Sequence, residues 1–285
     1  MNSTPDNVAP RARGTVTFPE PPALKSHGPA RIVSLCNQKG GVGKTTSTIN
    51  LAASLAAYGR KVLVVDFDPQ GALSAGFGVH AFDDSPTVLD LINGKLTDPH
   101  EVIKPTSAPG VDILPANIEL SVAEVFLVNE LSREHALANV LKKVSAEYDV
   151  ILIDCQPSLG LLTVNALTAS HGVIVPLECE YFALRGVAML VETIEKVRDR
   201  LNPGLTLDGI LPTMYDPRTL HSREVVQHVI DNFGDIVLQT AIARTVKFPD
   251  ASIDGLPMNQ FAPDHAAAES YRQLARELIS RGSLP

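Results

Sequence analysis

From Arg31 onward the chain alternates between short apolar runs and longer stretches in which apolar side chains recur every three or four positions. The runs are RIVSLC (31–36), KVLVVD (61–66), VDILPA (111–116), DVILID (149–154), GVIVPL (172–177) and LDGILPT (207–213). Apolar on both faces and rich in Val and Ile, such runs predict parallel strands covered by helices on each side. Between them the spacing turns helical. One helix is predicted from Thr45 up to Gly59, a residue suited to the left-handed position that follows a helix. Another places Leu184, Val187, Ala188, Val191, Ile194 and Val197 on one face before Asn202-Pro203-Gly204 stops it. Strand and helix alternate without an internal repeat, so the expected class is α/β: a doubly wound, mostly parallel sheet with helices on both faces, forming one domain over residues 31–285.

Residues 1–30 break that pattern. They carry six prolines and no apolar periodicity, which predicts a disordered, Pro-rich tail outside the domain. The 285-residue chain as a whole is 45% hydrophobic, ample for a buried core. Net charge is -8, from 24 Lys+Arg against 32 Asp+Glu, so any attraction to nucleic acid must come from a local patch. Cys36, Cys155 and Cys179 are odd in number and lack C-x-x-C spacing, the usage of reduced, buried thiols. No run approaches ~18 apolar residues and the N-terminus has no apolar segment behind a basic start, so a cytoplasmic protein with no membrane association is expected.

In a doubly wound sheet ligands collect at the carboxyl ends of the strands. The segments that follow four of the apolar runs are NQKGGVGKTT, FDPQG, CQPSLG and MYDPRT. The first contains most of a phosphate-binding loop: Gly43, Lys44 and Thr45 fit G-x-x-x-x-G-K-[ST], but Gln38 stands where the first glycine belongs, followed by a second lysine, Lys39. Gly40, Gly41, Val42 and Gly43 would bring backbone N–H groups up to phosphate oxygens, and the helix behind them points its positive end at the same anion. Lys44 would reach the β- and γ-phosphates, Thr45 would give its hydroxyl to Mg²⁺, and Thr46 would donate to the α-phosphate. Asp154 ends an apolar strand and is placed to hold Mg²⁺ through water. Asp66 and Asp68 flank Phe67, so an inward Phe67 turns both carboxylates to the site, one near the metal and one near an attacking water. A single strand-end Asp is often a helix cap, but three of them at strand ends beside GKTT point to nucleotide chemistry. A dinucleotide fingerprint, Gly41-x-Gly43 with Asp66 about 20 residues on, fails because its third glycine is Thr46. The expected ligand is a triphosphate.

At this level of detail the chain resembles a known family. KGGVGKTT, VLVVDFDPQGALSAGFGV, YDVILIDCQPSLGLLTVNAL, ECEYFALRG and TMYDPRT are similar to the deviant Walker A ATPases of the ParA/Soj partition family, over residues 31–281. The resemblance implies slow, Mg²⁺-dependent ATP hydrolysis by a homodimer that forms with ATP. Lys39 would act as the family's signature lysine, reaching the partner subunit's nucleotide in the manner of an arginine finger. Asp68 would orient the hydrolytic water, Asp154 would be the Walker B acid, and Asp66 the first switch acid. Pro212, Met214 and the segment 241–244 would face adenine. Arg218 and Lys247 stand where relatives contact DNA backbone without sequence preference, and a ParB-type centromere-binding protein would be the stimulating partner on the nucleoid. The chain departs from the family pattern at Gln156, where a proline is common, at Ala243, where a proline is usual, and at Lys247, where an arginine is usual.

Three other readings stay open. A MinD-like ATPase on a membrane would need a basic amphipathic C-terminal helix. The last segment, DHAAAESYRQLARELISRGSLP, has a stripe of Ala267, Tyr271, Leu274 and Leu278 that packing on the sheet explains better. An iron–sulfur reductase of the same fold would need cysteines that bridge two subunits. An orphan family member, placing some other cargo, is not separable by sequence.

Overall fold

The computed structural model describes residues 17–81, 85–180 and 183–285. Seven strands form one sheet: β1 (Arg31–Leu35), β2 (Val62–Phe67), β3 (Lys104–Pro105), β4 (Val111–Leu114), β5 (Val150–Cys155), β6 (Gly172–Glu178) and β7 (Thr206–Thr213). Their order is β3-β4-β2-β5-β1-β6-β7, and every pairing is parallel except that of the two-residue edge strand β3 with β4. The six apolar runs are the six parallel strands. β2 and β5 are buried along their whole length because both faces are covered. Alternate residues go to opposite layers: Val33, Val62, Val64, Val150 and Leu152 pack on one side, and Ile32, Leu63, Val65, Ile151 and Ile153 on the other.

The helices are α1 (Lys44–Ala57), α2 (Ala72–Gly76), α3 (Val88–Ile92), α4 (Ala123–Leu127), α5 (Ala136–Leu141), α6 (Leu161–Ala169), α7 (Ala183–Arg200), α8 (Leu220–Phe233), α9 (Lys247–Ile253), α10 (Met258–Phe261) and α11 (Ala266–Ser280). α1 and α11 cover one face of the sheet through Leu51, Leu55, Leu274 and Leu278, while α5, α6 and α7 cover the other. The stripe Ala267, Tyr271, Leu274 and Leu278 of α11 is therefore buried, as packing requires. On α7 the buried positions are Val187, Leu190, Ile194 and Val197; Ala188, expected on that face, is exposed. The side chain of Leu184 lies outside the described residues. Among the described residues no helix is long and apolar enough to cross a membrane. Cys36, Cys155 and Cys179 are buried, which leaves none of them at a surface where a cluster shared between two chains would form.

Residues 1–16 of the tail expected to be disordered lie outside the described residues. Residues 17–30 have no regular secondary structure but are fastened to the domain. Phe18 N donates to Gln273 Oε1 at 3.2 Å, Arg60 Nη1 donates to Pro22 O at 3.0 Å, and Gly28 N donates to Asp149 Oδ1 at 2.9 Å. A proline-rich chain lacks the apolar periodicity that would announce such backbone-level attachment.

β1 lies between β5 and β6, and the chain leaves it toward β2 on one side while the later strands build out on the other. That divergence opens a crevice at the carboxyl end of β1, where the loop 36–43 runs into α1. α1 ends as its sequence requires. Gly59 adopts φ +80, its N–H donates to Ala56 O and Arg60 N donates to Leu55 O, the paired closure of a glycine-terminated helix. Replacing Gly59 with Ala forces a Cβ into the left-handed region at a cost of about 1–2 kcal/mol. Urea denaturation of Gly59→Ala should show that loss with an unchanged m-value; an unaltered midpoint would contradict it.

Candidate functional site

The loop between β1 and α1 is built around backbone conformations that only glycine adopts without strain: φ is +74 at Gly41 and +87 at Gly43, the residue that caps α1. Its base is pinned from both flanks. Asn37 Nδ2 donates to Pro176 O at 2.7 Å while its Oδ1 accepts from Lys39 N at 3.0 Å, and Thr213 Oγ1 donates to Val42 O at 2.9 Å. Lys44 is buried, with Nζ donating to Lys39 O at 3.1 Å, so its ammonium already sits under the arch of the loop. No acidic residue occupies the first turn of α1, which leaves its N-terminal N–H groups facing the crevice.

Sheet register brings the acids together. Asp66 on β2 and Asp154 on β5 are directly paired positions of neighbouring parallel strands, so their side chains leave the sheet on the same side. Both are buried, and Phe67 between Asp66 and Asp68 packs into the core as the two-residue spacing predicts. Thr45 Oγ1 donates to Asp154 Oδ2 at 2.6 Å, with Thr48 Oγ1 at 3.4 Å from Oδ1. Asp66 Oδ2 accepts from Ser74 N at 2.8 Å and Ser74 Oγ at 2.7 Å, which ties it to the start of α2. Burial pushes the Asp154 carboxyl up to about 8, with the Asp66 charge adding to it, and burial pushes Asp66 up to about 7. Asp68 is half-buried on the loop beyond, its Oδ1 accepting from Gln70 N at 3.0 Å.

This set fits a hydrated divalent cation held against phosphate. The Thr45 hydroxyl and the Asp154 carboxylate converge on one point, and a carboxyl driven toward its neutral form by burial gains most from a nearby positive charge. Mg²⁺ keeps several waters and takes substrate oxygens, so one hydroxyl and one carboxylate are enough to hold it.

Beside the loop is a cavity of about 530 Å³, lined by Gly40, Gly41, Thr46, Met214, Phe248 and Tyr271 among others. Met214 is one of two non-glycine residues with positive φ among those described, at +51, a strain that turns it toward this cavity wall. Pro212 stands behind the wall and supports it, its carbonyl accepting from Ile242 N at 2.8 Å. Phe248 meets Tyr271 edge-on at 5.9 Å, and the Tyr271 hydroxyl lies 3.1 Å from Ser47 Oγ. Neither aromatic was legible as part of a site, because they come from α9 and α11, far along the chain from the loop.

Lys39 is not drawn into its own loop. Its ammonium bonds Oε2 of Glu178, the last residue of β6, and Oε2 of Glu180 beyond it, at 2.8 Å each, and those two bonds raise its pKa. Glu178 also pairs with Arg244 at 3.1 Å. The signal for these glutamates was available in the sequence: they are the ECE that follows an apolar run. Arg218 is 87% exposed and paired with Asp216 through Nε and Nη2, both at 2.9 Å; Lys247 opens α9 with Nζ 3.7 Å from Asp250.

Residues 30–207 match a family described as an AAA domain. The chromosome-partitioning ATPase Soj of Treponema pallidum is 49% identical over 245 residues, 86% of this chain and 95% of that protein. The chromosome partitioning protein ParA of Caulobacter vibrioides is 43% identical over 258 residues, 90% of this chain and 96% of that protein. A solved structure named as cobyrinic acid a,c-diamide synthase from Mycobacterium smegmatis, with bound ADP and magnesium, superposes with a TM-score of 0.79 at 40% identity, covering 89% of this chain and 96% of that one.

The buried acid pair has a consequence for stability. Both carboxyls hold their protons in the folded chain at pH values where the unfolded chain has released them. The stability they contribute is therefore complete below pH ~4 and lost as pH rises through 7–8, at up to ~1.4 kcal/mol per pH unit per group. Without ligand, the stability difference between Asp154→Asn and the wild type should shift in favour of the variant between pH 5 and pH 8, read from urea midpoints. A difference independent of pH would contradict the burial of an ionisable Asp154.

Proposed function

The chain belongs to the ParA/MinD-type partition ATPases, and from that premise we propose that it is an ATP-dependent dimerising switch that binds DNA without sequence preference in its ATP state. Its cofactors are ATP and Mg²⁺, its cargo is chromosomal or plasmid DNA, and hydrolysis stimulated by a ParB-type centromere-binding protein returns it to the unbound state. On this reading it works in the cytoplasm on the nucleoid.

The observation that carries the reading is the second lysine. Lys44 already serves the chain's own phosphate loop, whereas Lys39 stands half-exposed at the loop's mouth with only two glutamates to hold it. An ammonium in that position adds charge stabilisation to a triphosphate only when another chain's nucleotide is brought against it. Mg²⁺, when bound, supplies charge neutralisation between the phosphates. The chain's residues do the rest. Gly41 and Gly43 present N–H groups to phosphate oxygens, Thr45 and Asp154 fix the cation's position, and Met214 and Phe248 wall the base.

Asp68 is assigned to orient the attacking water, a reading supported by its position two residues beyond the buried Asp66, on the loop and only partly buried. Asp68→Ala should lose most ATP hydrolysis, on the order of 100-fold or more for a positioned general base, while keeping ATP affinity and accumulating the dimer. A normal turnover number in that variant would remove Asp68 from the mechanism.

The DNA surface is supported by where its two basic residues hang. Lys247 opens the helix whose Phe248 walls the nucleotide cavity, and Arg218 lines a neighbouring cavity of about 490 Å³ together with Glu180 and Arg244. Both thus ride on elements that nucleotide would set. Two phosphate contacts per chain give a dimer a log–log salt slope of roughly -3 to -4. We expect that slope with ATP, little binding with ADP, and loss of binding in the Arg218→Ala, Lys247→Ala double variant. Equal binding in both nucleotides, or none lost in the variant, would favour the second reading, an orphan positioning ATPase for another cargo. One observation leans that way: Arg218 and Lys247 each already have a carboxylate beside them.

A further inference from the structure

The cavity beside the phosphate loop offers a base few side-chain groups to bond. Its two charged side chains, Glu178 and Arg244, are paired with each other at 3.1 Å. Three of its hydroxyls are committed as well: Thr213 Oγ1 donates to Val42 O at 2.9 Å, Ser252 Oγ donates to Phe248 O at 3.0 Å, and Thr245 Oγ1 accepts from Lys247 N at 3.2 Å. What remains is largely apolar surface from Met214, Ile242, Phe248 and Pro249. A base gripped by such surface is held only as firmly as the surface itself.

Phe248 is the wall residue with the weakest local support. It is the second residue of α9, a helix of seven residues that is too short to stand without tertiary contacts, and its neighbours Val246 and Lys247 are exposed. The side chain is half-buried and packs against two apolar clusters, one shared by α1 and α11 and a small one of Ala251, Met258, Ala267 and Ala268. Its ring meets that of Tyr271 with centroids 5.9 Å apart and planes at 74°, the edge-to-face arrangement that aromatic pairs prefer.

Tyr271 is the opposite kind of residue. It is 1% exposed, within α11, a helix of 15 residues packed along α1. A phenol buried so completely needs a partner, and its hydroxyl lies 3.1 Å from Ser47 Oγ, itself fully buried. Ser47 belongs to the first turn of α1, and its N–H donates at 2.9 Å to the carbonyl of Gly43, the residue that caps this helix behind the phosphate loop. One side chain thus touches the base wall with its ring and the phosphate-loop helix with its hydroxyl. It sets the spacing between the place for a base and the place for phosphates.

We propose that Tyr271 is a positioning residue for nucleotide selection: by fixing Phe248 relative to the first turn of α1, it makes the chain prefer a nucleoside triphosphate to a bare triphosphate. The proposal rests on the base lying in this cavity, as in the function proposed above. Removing the phenol should leave phosphate binding intact, because Ser47 can return its hydroxyl to the Gly43 carbonyl as Thr48 returns its own to Lys44 O at 3.1 Å. Phe248, on its short helix, has no such local substitute.

The test is displacement of a ribose-labelled fluorescent ADP from the full chain by ATP and by inorganic tripolyphosphate, each with Mg²⁺, read as the ratio of the two affinities. Tyr271→Met, which fills the space without a ring edge, should weaken ATP roughly tenfold and leave tripolyphosphate within about twofold. Tyr271→Phe, which keeps the ring, should retain most of the ratio. Phe248→Ala should lower the ratio as Tyr271→Met does, and the double variant should lose no more than the larger single loss, as expected when one residue acts through the other. If Tyr271→Met does not fold, Tyr271→Leu carries the same prediction. ATP and tripolyphosphate weakened alike by Tyr271→Met would reduce Tyr271 to core packing and overturn the proposal. So would losses that add in the double variant, a Tyr271→Phe chain as impaired as Tyr271→Met, or a ratio that Phe248→Ala lowers and Tyr271→Met does not. A ratio untouched by Phe248→Ala would instead remove the base from this cavity, and with it the base wall of the proposed function.

Discussion

The Asp154 carboxylate, buried at the end of β5 with no basic side chain bonded to it, is the constraint around which the site is arranged. Thr45 and Thr48 of α1 reach down to its two oxygens, so the first turn of the helix is fixed relative to the sheet. Asp66 sits beside it by strand register and is tied in turn to Ser74, whose hydroxyl also accepts from Ala116 N at 3.2 Å. Through these few bonds the phosphate loop, the loop carrying Asp68 and the chain just beyond β4 at Ala116 are all referred to one buried carboxyl group. Such a site is costly to leave without a cation. That cost makes the empty and nucleotide-bound arrangements different in energy, which is what a switch requires.

Lys39 works on the opposite principle. Its two ion pairs are exposed on the lysine side, and contacts of this kind are worth only ~0.2–1 kcal/mol each. Glu178 and Glu180 keep the ammonium ordered at the mouth of the loop without committing it. A triphosphate presented by a second chain offers more charge at the same distance, so on the proposed reading the exchange is readily reversible and follows the nucleotide. Arg244, which shares Glu178 and lies against Met214, places the wall of the base cavity next to the same exchange.

Much of this was legible in the sequence because it rests on local rules. Parallel strands buried on both faces need uninterrupted apolar runs, left-handed turns need glycine at 41, 43 and 59, and a two-residue spacing puts Asp66 and Asp68 on one side of Phe67. The partnerships between distant segments were not legible. Nothing local to Lys39 names Glu178 and Glu180, and nothing local to Phe248 places it against Tyr271 beside the phosphate loop. β3 escaped notice because two residues carry no period, and the strap at 17–30 because its attachment runs through the side chains of Arg60, of Gln273 on α11 and of Asp149.

The most direct measurement is the mass of the chain in solution, by sedimentation velocity, with Mg²⁺ and ATP under conditions that slow hydrolysis, and with Mg²⁺ and ADP. The expected result is a dimer with ATP and a monomer with ADP, and for Lys39→Ala a monomer in both that still binds ATP. A wild-type chain that stays monomeric with saturating ATP, or a Lys39→Ala chain that dimerises as well as the wild type, would contradict the role given to the second lysine.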